Sequence, residues 1–128
     1  ELARQSEASS IVELMTPRLL GETTLKARPQ IIERVKKMIE TANPQGIAQA
    51  LIGMAHRNDS TNSLSEIRCP TLILVGNEDK LTPPSDAEKM NSAIPSSELK
   101  IINQAGHLPN LEASAVFNQF VGEFLNKV

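Results

Sequence analysis

An acid and a base stand at matching points of the sequence, each shortly after an apolar run typical of a buried strand. Asp79 follows the run 71–75, and His107 follows the run 99–102. Parallel strands end at the same edge of a sheet about 4.8 Å apart, so the loops leaving them can bring a carboxylate and an imidazole together. An ionised Asp79 would fix the tautomer of His107 and stabilise the imidazolium formed during proton transfer. The spacing therefore predicts a general base with its orienting acid. The alternative is that Asp79 is a turn residue and His107 begins a helix.

Other residues that could carry chemistry fit the pattern less well. Glu78 could replace Asp79 as the acid if the turn were shifted by one residue. Cys69 precedes its strand, about 20 Å from Asp79 along an extended chain, and we expect it to be a buried structural thiol. His56 is the only other histidine, and two histidines without clustered cysteines or carboxylates do not make a metal site. We predict a solvated His56, and neither a metal nor a cofactor.

Apolar periodicity predicts three helices in the first half of the chain. Residues 9–20 have helical spacing, with an interruption and kink at Pro17. A polar loop should follow, and Pro29 and Pro44 can then each occupy the first turn of a helix. One methionine falls on each helix, and the three could line an apolar substrate pocket or simply pack between helices: Met15, Met38 and Met54.

The polar stretch 56–63 has no apolar periodicity and is rich in turn residues, so we place a boundary there. This division predicts a helical segment over residues 1–62 and a second segment over residues 63–128. The second segment begins with a single turn near residues 64–67. Its pattern then changes from helical spacing to a continuous β-branched run.

The second segment reads as strand, helix, strand and helix, which predicts a right-handed parallel unit with a helix as the crossover. The expected strands are 71–75 and 99–102, and a helix between them is expected to start at Thr82 followed by Pro83-Pro84. Ser114 is expected to cap the last helix. Three phenylalanines should make that helix the main anchor of this half: Phe117, Phe120 and Phe124.

Composition narrows the range of partners. Thirteen Lys and Arg against fifteen Asp and Glu leave a net charge of −2, which offers no footprint for nucleic acid or an anionic membrane. No apolar run approaches the length of a membrane span, and a single cysteine precludes an intramolecular disulfide. We therefore expect a cytoplasmic protein. Because the chain starts with Glu1 and shows no signal peptide, we also expect it to be a piece of a longer polypeptide.

A set of short motifs in a fixed order resembles the end of an α/β-hydrolase. The motifs are Gly76-x-x-Asp79 after one strand and Gly106-His107 after the next, followed by Glu112 and by Phe117 in a C-terminal helix. The first 62 residues resemble the last part of the helical lid that this family inserts before the acid-bearing strand. The wording LMTPRLLGETT…NPQGIAQALIGMAHRNDST is most similar to β-ketoadipate enol-lactonase-like members. The implied fold is α/β: two parallel strands with flanking helices, preceded by an all-helical lid segment.

The resemblance implies that Asp79 is the triad acid and His107 the general base of an enzyme that hydrolyses an ester or lactone through an acyl-enzyme. The family's serine lies upstream on a G-x-S-x-G elbow. No two glycines of this chain are four residues apart, so these 128 residues hold no such elbow, and we expect no activity from them alone. The alternative is a non-catalytic binding or interaction module, and an upstream G-x-D-x-G would instead indicate an aspartate nucleophile. The expected partner is the missing N-terminal half, or a second copy, on the exposed edge of the strand 71–75.

Overall fold

The computed structural model describes the backbone of residues 2–128 and the side chains of residues 9–128. Helices and strands follow in the order α1 (Leu2–Leu19), α2 (Glu22–Ala27), α3 (Pro29–Thr41), α4 (Pro44–Ala55), a 3-10 turn (Thr61–Glu66), β1 (Thr71–Gly76), α5 (Pro84–Ala93), β2 (Ser97–Ile102), α6 (Pro109–Glu112) and α7 (Ser114–Leu125).

The first half is helical as predicted, with two differences. Helices α3 and α4 begin at Pro29 and Pro44, and the Asn43 side chain caps α4 by accepting a hydrogen bond from the Gln45 N–H at 2.9 Å. Helix α1 is longer than predicted and contains Pro17 within its last turn. The polar loop expected after α1 is wrong, because helix α2 forms there.

Helix α2 depends on a distant partner that its own sequence does not reveal. The carboxylate of Glu78 accepts hydrogen bonds from the N–H of Thr23, at 2.7 Å, and from its hydroxyl, at 2.5 Å. An acceptor at the first turn satisfies an N–H group that has no partner within a helix. Thr24 is fully buried. Contacts across the molecule thus stabilise a helix that lacks apolar periodicity.

The second half contains the predicted parallel unit. Strands β1 and β2 pair in parallel, with Thr71 opposite Ser97 and Gly76 opposite Ile102, and helix α5 is the crossover between them. Four buried apolar residues, from β1, from α5 and from the C-cap of α5, form the core of this half: Ile73, Val75, Ala87 and Ile94. Three partly buried residues pack against it: Leu64, Ile67 and Leu99. This core positions the carboxyl ends of both strands.

Helix α5 starts at Pro84, within the segment predicted for its start. Three local details in this half differ from prediction. Pro83 rather than Thr82 is the N-cap of α5, and the Thr82 hydroxyl donates to Asp79. Ser114 is the first residue of α7, and the preceding Ala113 provides no side-chain cap. Cys69 is exposed rather than buried, and it lies before the first residue of β1.

Helix α7 is not the main anchor of this half. Its phenylalanines are only half-buried, and no residue of the helix is fully buried. Val116 and Leu125 leave 40% and 61% of their surfaces exposed. The wide apolar stripe of α7 is therefore covered on one side only, and α5 carries the buried contacts of the core.

Among the described residues, no helix combines the length and the apolar composition needed to cross a membrane.

Candidate functional site

Asp79 lies in the turn that leaves β1, and its buried carboxylate accepts four hydrogen bonds. Oδ1 accepts the N–H groups of Leu81, at 2.9 Å, and of Thr82, at 3.0 Å. Oδ2 accepts the Thr82 hydroxyl at 2.9 Å and the imidazole Nδ1 of His107 at 2.9 Å. The side chain is only 5% exposed. The predicted contact between acid and base is therefore present.

These contacts determine which nitrogen of His107 carries its proton. The Thr82 hydroxyl, 3.1 Å from Nδ1, donates its single proton to Asp79 Oδ2. Its oxygen can thus only accept from Nδ1, as can the ionised carboxylate. Nδ1 must then hold the hydrogen, which leaves Nε2 with a free lone pair. The ring is about one-third exposed, so solvent or a ligand can approach it.

Two opposing effects set the charge of Asp79. Burial alone would raise the pKa of this carboxyl, but hydrogen bonds from the Thr82 N–H, from His107, from the Thr82 hydroxyl and from the Leu81 N–H hold the pKa below its ordinary value. Asp79 is therefore ionised at neutral pH. A carboxylate in this state can orient an imidazole and stabilise its positive charge.

Backbone hydrogen bonds fix the two loops against each other. The N–H groups of Asn77 and Glu78 donate to the carbonyls of Ile102 and Ala105, both at 2.9 Å. The Asn77 side chain accepts the N–H of Gln104 at 2.8 Å, where the chain adopts a positive φ of 57°. The distance between Asp79 and His107 is thus set by several contacts besides their own.

The loops approach so closely that glycine is required where they meet. A Cβ on Gly76 would lie 2.2 Å from the carbonyl oxygen of Ala105. A Cβ on Gly106 would lie 2.4 Å from the backbone nitrogen of Gly21, at the end of α1. The helical half of the molecule therefore contacts the histidine loop at backbone distance.

Glu112 is a buried residue of the site to which the sequence analysis assigned no role. The residue is only 3% exposed. Its Oε2 accepts the N–H of Gly21 at 2.7 Å. Oε1 accepts the N–H groups of Gly106, at 2.8 Å, and Leu108, at 3.3 Å. Thr82 was likewise treated only as a helix start. Its position three residues after Asp79 fits a side chain that closes the turn.

Asp79, and not Glu78, is the carboxylate that contacts His107. The carboxylate of Glu78 is bonded to Thr23 of α2. His56 is exposed at the end of α4, where its Nδ1 lies 2.8 Å from the carbonyl oxygen of Ile52. Within the described part of the chain, no cluster of three or more His, Cys, Asp and Glu side chains is arranged to bind a metal ion.

Two cavities lie beside the histidine loop. A cleft of about 270 Å³ exposes the acid and base together with the end of β1, and is lined by Leu74, Val75, Gly76, Asp79, Thr82, His107, Pro109, Asn110 and Phe117. An almost entirely apolar cavity of about 290 Å³ lies among the helices and is lined by Ile11, Met15, Leu19, Val35, Met38, Ile39, Ala42, Ile47 and Leu108. Met15 and Met38 share this cavity, whereas Met54 lines a separate surface depression. The predicted group of three methionines is therefore reduced to two.

A sequence profile of the α/β hydrolase fold family matches residues 20–114. With a parallel sheet, an acid and a histidine at its carboxyl edge, and this match over most of its length, the chain belongs to the α/β hydrolase fold family. The family resemblance predicted from the sequence is confirmed.

Individual relatives agree with this assignment. The 2-hydroxy-6-oxononadienedioate/2-hydroxy-6-oxononatrienedioate hydrolase of Cupriavidus pinatubonensis is 30% identical over 120 residues, which cover 93% of this chain and 37% of that protein. A thermophilic esterase from Thermogutta terrifontis, solved with malate bound, is 40% identical with a TM-score of 0.87 and covers 98% of this chain and 49% of that one. The enol-lactonase from Burkholderia xenovorans LB400 has a TM-score of 0.85 at 18% identity, over 98% of this chain and 49% of its own, and shares the fold. The chain thus spans half or less of the length of these relatives.

Proposed function

We propose that this chain supplies the acid and the general base of a serine hydrolase that acts on an ester or lactone through an acyl-enzyme. The observation that carries the proposal is the 2.9 Å hydrogen bond between His107 Nδ1 and Asp79 Oδ2, which leaves the Nε2 lone pair available in a residue that lines the cleft. The names of its relatives, an esterase and a hydrolase, support the reaction class.

The proposed mechanism assigns one proton path to the pair. Nε2 of His107 accepts the proton of a serine hydroxyl as its oxygen attacks the ester carbonyl. Asp79 stabilises the resulting imidazolium through Nδ1, and the proton then passes from Nε2 to the leaving alkoxide. Water then attacks the acyl-enzyme as Nε2 accepts a proton from it, and the return of this proton to the serine oxygen releases the carboxylic acid. The serine belongs to a segment outside these 128 residues, because they contain no G-x-S-x-G.

The apolar cavity suits the uncharged part of such a substrate. Its lining is aliphatic and sulfur-containing, and two of its residues adjoin the base: Leu108 follows His107 in the chain, and the Leu19 carbonyl accepts the His107 N–H at 2.9 Å. A hydrocarbon group in this cavity would gain roughly 25 cal/mol per Å² of buried apolar surface. We therefore expect substrates with an apolar acyl or ring portion.

Kinetics on a longer polypeptide tests the two roles. In a protein that places the N-terminal half of an α/β-hydrolase before these residues, Asp79→Asn and His107→Gln should each lower kcat for an ester by about 10³–10⁴-fold. Glu78→Gln is the matched control, because its carboxylate lies one residue away and contacts Thr23 rather than His107. A loss smaller than tenfold in Asp79→Asn, or an equal loss in Glu78→Gln, would contradict the assignment.

The non-catalytic alternative makes a different prediction for the same protein. A binding module would keep the bond between Asp79 and His107 as a structural contact, with no turnover to lose. Hydrolysis that is absent before any substitution, in a protein that folds and carries a G-x-S-x-G elbow, would favour this alternative.

The partner that we propose for the sheet is the N-terminal half of the fold. Strand β1 pairs only with β2 among the described residues, so its other edge has unpaired backbone groups. The cleft that holds the acid and base extends along the end of this strand. A further parallel strand on that edge could deliver a nucleophile to Nε2.

A further inference from the structure

Glu112 takes no part in the proton path above, yet its carboxylate contacts the backbone on both sides of His107. The N–H groups of Gly106 and Leu108 donate to the same oxygen, Oε1. The N–H of His107 itself donates to the carbonyl of Leu19. Three consecutive amides of the loop therefore each have a fixed acceptor, which leaves the His107 backbone little freedom.

The second oxygen of Glu112 ties this loop to the helical half. Oε2 accepts the N–H of Gly21 at 2.7 Å, just beyond the end of α1. The contact is reciprocal, since Leu19 accepts from His107 while Gly21 donates to Glu112. The guanidinium of Arg28 also donates to the backbone carbonyl of Glu112. The Glu112 side chain thus links the histidine loop to Gly21, and backbone groups of His107 and Glu112 add contacts with Leu19 and Arg28.

This link matters because Asp79 and His107 come from different loops. The position of the His107 Cα, which the backbone fixes, decides whether any side-chain rotamer can bring the imidazole to Asp79. A displacement of the loop of about 1 Å would lengthen the 2.9 Å bond to Asp79 beyond a good hydrogen bond. A side-chain carboxyl group offers two acceptor oxygens, and those of Glu112 accept three backbone N–H groups, so this side chain is well suited to hold the loop.

We propose that Glu112 is a positioning residue, whose carboxylate clamps the amides around His107 to Gly21 and so holds the imidazole at Asp79. The inference rests on the proposed function for its catalytic meaning. Its test needs no turnover, so it can fail or succeed separately from the hydrolase proposal.

The test is Glu112→Gln in this chain, with NMR of the histidine ring. The amide has nearly the same shape, but it turns one acceptor into an NH₂ group that faces an N–H donor. We expect a folded variant in which the downfield Nδ1–H signal of His107 is lost or broadened at least threefold, and in which the ring nitrogens shift towards a mixture of tautomers. The ring signals of the exposed His56 provide an internal reference in the same spectra.

Glu88→Gln, at an exposed position on α5, is the matched control and should leave the His107 signal unchanged. A folded Glu112→Gln chain with an unaltered Nδ1–H signal and tautomer would overturn the proposal. A merely structural role would lower the melting temperature without changing the ring signals of the folded molecules, and that outcome also contradicts it.

Should Glu112→Gln not fold, hydrogen exchange in the unaltered chain decides the question. The amides of Gly21, Gly106 and Leu108 share one acceptor group. Each should therefore exchange at least about a hundredfold more slowly than a free amide, and the protection factors of the three should be similar. Matched protection of this kind supports the clamp. Exchange of Gly106 and Leu108 at the rate of an open loop overturns it.

Discussion

At the scale of single residues, the site depends on acceptors that are buried and fully used. Asp79 satisfies two backbone N–H groups, a hydroxyl and an imidazole with two oxygens. Such a carboxylate serves the turn and the histidine at once. Thr82 links these two roles, because its hydroxyl donates to Asp79 and leaves only an acceptor facing His107 Nδ1. The tautomer that a general base needs therefore follows from the turn itself.

The lowered pKa of Asp79 predicts a dependence of stability on pH. A carboxyl whose pKa is lower in the folded than in the unfolded chain contributes stability above its unfolded pKa of about 3.9. This contribution is lost as the pH falls from that value through the folded pKa. We expect the free energy of unfolding to decrease below about pH 4, and to decrease less in Asp79→Asn. Urea denaturation at pH 6 and at pH 3 measures both, and an equal decrease in the two proteins would contradict the prediction.

Residue patterns predicted the contact between Asp79 and His107 but not the residues that support it, for a physical reason. Asp79 and His107 each follow an apolar run, and the rule that parallel strands end at one edge brings them together. Glu112 accepts hydrogen bonds from the N–H groups of Gly21, Gly106 and Leu108, whose separations from it in the sequence follow no helical or strand period. The residues beside Glu112 in the sequence do not indicate that its side chain is buried. Cys69 and Ser114 were assigned from local preference alone, and the packing of the whole chain decided otherwise.

At the scale of elements, the structure is held by close backbone contact between loops and helices. Elements with strong local signals were predictable: Pro29 and Pro44 open their helices, and the apolar runs form β1 and β2. Helix α2 was not, because its first turn is satisfied by Glu78 from the loop after β1. The expected division between residues 62 and 63 remains a prediction. The contact between Thr23 and Glu78 joins the two segments on either side of it.

Two alanine substitutions should have opposite effects on stability. Gly76→Ala would place a methyl group 2.2 Å from a backbone oxygen, so we expect a loss of about 3 kcal/mol or more. Gly53→Ala, within α4, meets no atom within 4 Å and should stabilise the chain by about 0.5–1 kcal/mol. Denaturant unfolding of both variants measures the difference. Equal changes in the free energy of unfolding would contradict this prediction, because they would show that the loops at Gly76 and Ala105 move apart to accept a methyl group.

At the scale of the whole molecule, apolar surface remains uncovered on several elements. Helix α4 has no fully buried residue and exposes about half of Leu51, Ile52 and Met54. Together with the edge of β1 that has no partner strand among the described residues, and with the partly covered stripe of α7, this surface favours association. We expect the chain to self-associate at micromolar concentration, or to bind an N-terminal half of the fold added in trans. If sedimentation shows a strictly monomeric species that does not bind the added N-terminal half, the expectation is contradicted.

The central claim is that these residues hold the acid and base of a serine hydrolase and that the nucleophile lies elsewhere. Labelling with a fluorophosphonate tests it most directly, because the probe reacts with a serine activated by a histidine. We predict no label on the 128-residue chain. In a polypeptide that adds the N-terminal half of the fold, we predict a single labelled serine outside these residues, and its loss in His107→Gln. A label on any serine of this chain, or a label that persists in His107→Gln, would contradict the claim.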